Sequence, residues 1–246
     1  MNVIGIIQAR LTSKRFPGKV LKKIGNMPML EILIKRISFS KKLDKIIVVI
    51  PRSKKNKNLK IFLKKKKITY YEGDEKNVLQ RYYFAAKEYS ANIIVRITSD
   101  NPLVDPEIID NIITKIKKKK IDYIKHSYPY LPLGLGVEAF TFKALKKVYN
   151  KAKSNYHKEH VTTYIFDNKN LFKTEEIKGN KVYPQYRLTV DLPLDLKVIK
   201  YIFNYFKPNI KFNFKKITKL FKENPKIFLI NRKIVQKNLD WNYIWH

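Results

Sequence analysis

VIGIIQARLTSKRFPGK, residues 3–19, holds the key to the fold. Its first part, Val3–Ala9, is a short apolar, β-branched run of the kind that forms a strand buried on both faces. Its second part cannot extend that strand. Between Arg10 and Lys19 the chain carries four cations, two hydroxyls, a proline and a glycine. A helix-spaced segment follows at Met29–Phe39, with Leu30, Leu33, Ile34 and Ile37 on one stripe. Strand, polar loop and amphipathic helix together form the first unit of an α/β domain.

The alternation repeats downstream. Lys45–Ile50, Ile68–Tyr71, Asn92–Thr98 and Ile121–Lys125 have the composition of strands. A basic helix around Leu59–Leu63 and helices over Val78–Tyr89 and Pro106–Ile116 separate them. Pro106 suits a first helical turn, where its missing N–H costs nothing. Five such strands before residue 130 imply an α/β fold with a mostly parallel central sheet and helices on both faces. Beyond the Pro/Gly-rich stretch Ser127–Gly136 the pattern changes. A strand is expected at Val137–Phe142, helices at Lys143–Lys151 and His157–Asn168, and strands at Leu171–Ile177 and Gln185–Val190. Helices at Leu194–Phe206 and Phe214–Lys222 complete the pattern. No repeat or linker interrupts it, so a single domain over residues 1–246 is expected.

Composition narrows the classes. With 44% hydrophobic residues among 246, the chain can build a core. It has no cysteine, which excludes disulfides and thiolate metal sites. No window approaches about 18 uncharged apolar residues, so no membrane insertion is expected. The apolar start is too short for a secretory signal, and a cytoplasmic protein is the expectation. The net charge of +33 suggests nucleic-acid binding as an alternative. Yet 45 of the 53 basic residues are Lys, and Lys, Ile, Asn, Tyr and Phe make up 127 of 246 residues. Those are the residues of A/T-rich codons, and the lysines are spread over every expected helix. The runs Lys64–Lys67 and Lys117–Lys120 close helices, where cations complement the helix dipole. Against this bias a retained Arg points to a place that needs its planar fork of donors.

In an open parallel sheet, ligands sit beyond the C-terminal strand ends. The loop after the first strand offers backbone N–H groups, hydroxyls and charged forks to a triphosphate. It is neither GxxxxGK[ST] nor GxGxxG, and an ordinary basic turn is the alternative. After the fourth strand comes Thr98-Ser-Asp100-Asn-Pro-Leu-Val-Asp105. Asp100 can hold Mg²⁺ against phosphate oxygens, or start an Asx turn; Asp105 suits a helix N-cap. In Arg187-Leu-Thr-Val-Asp191-Leu-Pro-Leu-Asp195, Asp191 is a second candidate metal ligand and Asp195 a helix N-terminal charge. Asp100 and Asp191 form one site only if the fold brings their segments together. His157 and His160 are spaced HxxH without an evident third ligand. The aromatic tail Trp241–Trp245 suits packing on its own domain or a dimer partner, with membrane-interface stacking as the alternative.

IIQARLTSKRFPGKVL, EGDEKNVLQRY, RITSDNPLVDP, GLGVEAF, EHVTTYI and RLTVDLPLDL occur in this order. Together they resemble the motifs of the sugar-activating cytidylyltransferases, a superfamily that includes the Kdo and acylneuraminate enzymes. The branch resembled is that of the spore-coat polysaccharide cytidylyltransferase-like proteins, and the resemblance covers roughly residues 1–200. It implies a nucleotide-diphospho-sugar transferase fold of the glycosyltransferase-A type. It further implies transfer of CMP from CTP to a sugar acid or sugar-like acceptor, with Mg²⁺, in a homodimer, for surface glycan biosynthesis. A sugar or polyol phosphate is the alternative acceptor.

The implied catalytic residues are Arg10, Arg15 and Lys19, which would stabilise charge on the phosphates. Ala9, Ser13, Arg81 and Ser99 fall on the implied nucleotide side, with Asp100 and Asp191 at the metal. Glu138, Glu159 and His160 fall on the acceptor side, to which residues 127–190 contribute. The branch has Asp where Gly136 and Asn77 stand, and Thr-Pro-Glu-Asp at residues 192–195, which leaves acceptor identity open. A glycosyltransferase on this type of fold would use an Asp-x-Asp motif, and no two aspartates here are two apart.

Overall fold

The computed structural model describes residues 1–126 and 128–234. The aromatic tail therefore lies outside the described residues. Strands β1 (Val3–Gln8), β4 (Lys45–Pro51), β5 (Tyr70–Gly73), β6 (Ile93–Thr98), β7 (Tyr123–His126), β8 (Glu138–Thr141) and β9 (Thr174–Ile177) form the main sheet. Its order is β5-β4-β1-β6-β8-β7-β9. All pairings are parallel except those of β8, which runs antiparallel to both β6 and β7. A two-stranded ribbon of β2 (Lys23–Ile24) and β3 (Met27–Pro28) follows the first loop.

Successive strand residues point to opposite faces, and two cores result. On one face Val3, Ile7, Val48, Ile50 and Val95 pack on α1 (Met29–Ile37), α2 (Lys57–Lys65) and α4 (Pro106–Lys119). On the other, Ile4, Ile6, Ile47, Val49 and Ile94 pack on α3 (Val78–Glu88) and α5 (Phe142–Lys151). Each fully buried side chain of this size contributes about 1.5–3 kcal/mol. The short helices α6 (Asn155–His160) and α7 (Thr163–Asp167) extend the second layer. A third core joins Leu103, Leu135, Leu188 and Val190 to α8 (Pro193–Phe206) and α9 (Phe214–Glu223).

The caps follow the sequence. Asp105 Oδ1 accepts the Glu107 N–H at 2.9 Å, capping α4. Asn77 Oδ1 accepts the Gln80 N–H at 2.9 Å, capping α3. Asn and Asp cap equally well, so Asn77 keeps this structural task. Where Gly136 stands, a Cβ would meet nothing nearer than His126 O at 3.8 Å, so the backbone there admits a side chain.

Two expectations are corrected. Gln185–Val190 forms no strand: Gln185 lies in a turn, Thr189 at a bend, and its one bridge pairs Leu133 with Arg187. His157–Asn168 is not one helix. Val161, at φ 64, separates α6 from α7, and a β-branched residue in that region cannot continue a helix.

Candidate active site

The first loop leaves the C-terminal edge of the sheet, where Ala9, buried, still donates its N–H to Val49 O at 3.0 Å. It folds back on itself. Leu11 N–H donates to Asn56 Oδ1 at 2.8 Å, Phe16 N–H to Ser13 Oγ at 3.4 Å, and Gly18 N–H to Leu11 O at 2.9 Å. Gly18, at φ 67, turns the chain into a 3-10 turn at Lys19–Leu21, a conformation open to glycine without strain. The turn directs Lys19 inward, while Arg10 faces solvent.

Across the edge, Asp100 follows β6 in a turn where Asn101 Nδ2 donates to Thr98 Oγ1 at 2.9 Å. Ser99, buried, donates its N–H to Gln8 O at 3.2 Å. The segment 187–191 lies alongside, tied by Leu188 N–H to Leu133 O (2.7 Å) and Val190 N–H to Asp100 O (2.8 Å). These bonds bring Asp191 beside Asp100. Lys19 Nζ sits between the two carboxylates, donating to Asp100 Oδ2 at 3.1 Å and Asp191 Oδ1 at 2.9 Å. Arg15 reaches Asp191 Oδ2 at 3.0 Å, and Arg187 reaches the same oxygen at 2.9 Å. Burial works to raise the Asp191 carboxyl, but Lys19, Arg15 and Arg187 outweigh it and hold the group below its ordinary range.

Asp195 lies behind this cluster with no exposed surface. It accepts from Arg187 Nε (2.9 Å), Asn231 Nδ2 (2.8 Å) and the N–H groups of Asp191 and Leu192 (2.9 Å each). The last bond is that of a helix N-terminal charge, as the sequence led one to expect. Its pairing with Arg187, and the arrival of Asn231, were not foreseen. The spacing of Arg187, Asp191 and Asp195 was the available signal, since an Arg four and eight residues before two acids can serve both.

Among the described residues no three His, Cys, Asp or Glu side chains converge as a metal cage. The pair Asp100 and Asp191 nonetheless fits a hard divalent cation that draws its remaining ligands from phosphate and water. Both are oxygen donors, both already face one cation, and Asp100 is 28% exposed.

A second cluster lies further along β6. The β6–β8 register places Arg96 opposite Glu138, and their side chains meet at 3.1 Å. Thr162 Oγ1 donates to the other Glu138 oxygen at 2.8 Å. Burial lowers the Arg96 guanidinium's pKa, but Glu138 outweighs it and the net shift is upward. Glu159 and His160 end α6; burial pushes the His160 imidazole down. Arg10 meets Glu159 at 3.8 Å in a solvent-exposed pair that joins the first loop to this cluster. His157 pairs instead with Asp167 at 2.6 Å.

Arg81 joins neither cluster. Its buried guanidinium donates to the carbonyls of Asp74 and Glu75, and burial lowers its pKa to about 10. It shapes the turn ahead of α3, where Gly73 leaves room for its stem: a Cβ there would lie 2.9 Å from Arg81 Cγ.

A cation-rich loop beyond the first strand, facing two carboxylates from separate segments of a mostly parallel sheet, marks this chain as a nucleotidyltransferase. Comparison with known proteins specifies the class. The chain belongs to the Cytidylyltransferase family, whose model matches residues 4–234. It is similar to protein MJ1063 of Methanocaldococcus jannaschii, 41% identical over 244 residues, covering 97% of this chain and 98% of that one. It is 30% identical over 212 residues to the spore coat polysaccharide biosynthesis protein SpsF of Bacillus subtilis, covering 82% and 86%. Among solved structures it is similar to a cytidylyltransferase from Leptospira borgpetersenii serovar Hardjo-bovis, with TM-score 0.89 and 29% identity, covering 96% and 100%.

Proposed function

We propose that this cytidylyltransferase transfers CMP from CTP to a sugar acid or similar sugar-like acceptor, releasing pyrophosphate, in the cytoplasmic synthesis of a surface glycan. The observation that carries this reading is the meeting of Arg15 and Lys19 with Asp100 and Asp191 beyond the C-terminal edge of the sheet. The name of the Bacillus subtilis relative supports the glycan.

An acceptor oxygen attacks the α-phosphorus in line; the new O–P bond forms as the bond to pyrophosphate breaks. Negative charge grows on the phosphoryl oxygens and on the leaving group. Arg10, Arg15 and Lys19 stabilise it, and most of the catalysis is positioning and electrostatics. Mg²⁺, held by Asp100 and Asp191, would neutralise phosphate charge and polarise the phosphoryl group. Ala9, Ser13 and Ser99 line the nucleotide side, and Arg81 supports the turn that borders it. Glu138, oriented by Arg96 and Thr162, serves the acceptor side with Glu159 and His160. In this reading residues 127–190 also form the surface on which two copies pair.

The test is pyrophosphate release with Mg²⁺, each of the four nucleoside triphosphates, and a panel of sugar acids, sugar phosphates and polyol phosphates. CTP is the expected requirement. Asp100→Ala is expected to lose roughly 100-fold or more of the rate with an unchanged circular dichroism spectrum. Full activity in that variant would remove the metal assignment. Indifference to the base would remove the preference for CTP.

A further inference from the structure

Every proton of the Lys19 ammonium is spent inside the protein. Besides the two carboxylates, it donates to Val190 O at 2.7 Å. An ammonium has three donors, so in this arrangement none is left for a phosphate. The three acceptors are not equally fixed. Asp191 is held by Arg15 and Arg187 as well, and Val190 is tied through its N–H to the Asp100 carbonyl. The Asp100 carboxylate has only Lys19 as a hydrogen-bond partner among the described residues, at the longest of the three distances, and its side chain is the most exposed of the pair.

The charges are also balanced. Arg15, Lys19 and Arg187 face Asp100, Asp191 and Asp195, three against three. A divalent cation arriving alone meets a neutral cluster with an ammonium already between its two ligands. A cation arriving with a polyphosphate meets a different field, because the anion attracts the same ammonium.

We propose that Lys19 is a placeholder cation: in the free enzyme it occupies the gap between Asp100 and Asp191 and keeps a divalent metal out. A nucleoside triphosphate, by taking over the hydrogen bond now made to Asp100, turns it towards phosphate and opens the pair. This rests on the reading of Asp100 and Asp191 as metal ligands given above. Metal and nucleotide binding are thereby coupled, each strengthening the other by the same factor.

Nucleotide-free Mn²⁺ binding, followed by electron paramagnetic resonance, tests this without catalysis. Lys19→Met and Lys19→Gln are expected to bind Mn²⁺ more tightly than the wild type, by about 5- to 150-fold, the usual range of such couplings. The Gln variant keeps a hydrogen-bonding side chain and guards against a Met variant that fails to fold. Equal Mn²⁺ affinity in the wild type and a folded variant would overturn the placeholder role and leave the ligand assignment standing. If Asp100→Asn in the Lys19→Met background leaves Mn²⁺ binding unchanged, the ligand assignment itself fails.

Discussion

Asp195 has no solvent-exposed surface, yet its carboxylate takes bonds from a guanidinium, an amide side chain and two backbone N–H groups. It never meets Lys19; it acts by holding Arg187, which in turn touches Asp191. Removing it takes away one of the two carboxylates that neutralise the buried Arg187 and leaves the Asp191 and Leu192 N–H groups without their acceptor. Asp195→Ala is expected to lose about 3–5 kcal/mol of stability in urea unfolding, and Asp195→Asn, which keeps an acceptor, distinctly less. An equal loss in both would show that the charge, and not the hydrogen-bond acceptor, carries the effect. At this scale the sequence was largely readable. Arg10, Arg15, Asp100 and Asp191 could be picked out because arginine and aspartate are rare in a lysine-rich, isoleucine-rich chain, and Lys19 because it shares the loop with the two arginines. Arg81, expected on the nucleotide side, bonds the backbone carbonyls of Asp74 and Glu75: a retained arginine signals a need for five donors, and carbonyls can take them up as well as phosphates do.

The segment 131–136 shows how a single element sets the site. Gly134 lies at φ 104, and a Cβ there would stand 2.5 Å from Leu188 C and Thr189 N. Only glycine allows the two backbones to approach so closely, and this approach aligns the run that ends in Asp191. Gly134→Ala combines a disfavoured φ with a backbone clash, for a cost of roughly 1–3 kcal/mol or more. It is expected to lower the thermal midpoint and cut pyrophosphate release. Gly25→Ala is the control: its φ of 58 carries strain of about 1 kcal/mol, but open space surrounds it, so the rate should hold. Retained activity in Gly134→Ala would show that this approach does not position Asp191. The sequence misread the same region for a physical reason. Leu188 and Val190 alternate with polar neighbours as in a strand, and both are buried. Periodicity reports burial, though, not a partner; the segment's backbone bonds go singly to Leu133 and Asp100.

For the molecule as a whole, the parallel sheet was legible because its central strands β1, β4 and β6 are apolar, β-branched runs. The place of β8 was not, because a four-residue strand carries too little pattern to show its neighbours. The topology also explains where much of the charge of +33 goes. In a parallel α/β layer the helices end at the sheet edge opposite the strand C-termini. The basic last turns of α2 and α4 therefore lie away from the site, whereas Arg36, at the end of α1, is buried against the carbonyl of Leu103. Such scattered charge is screened at about 8 Å in physiological salt. Binding to a generic DNA duplex is expected to vanish as salt approaches that level, while pyrophosphate release persists. Tight duplex binding in 0.2 M salt, with a slope worth many phosphates, would contradict this.

The insertion of β8 between β6 and β7 also governs the order in which a growing chain can fold. Once β6 has been made, the four strands β5-β4-β1-β6 can all pair with one another. Strand β7 cannot, since its partners β8 and β9 are made later. Until Thr141 has been synthesised, β6 presents an open edge, with Arg96 still lacking Glu138. Synthesis halted near His126 would leave that edge uncovered, an adhesive surface, and would do so before the part of the chain bearing Asp191 exists.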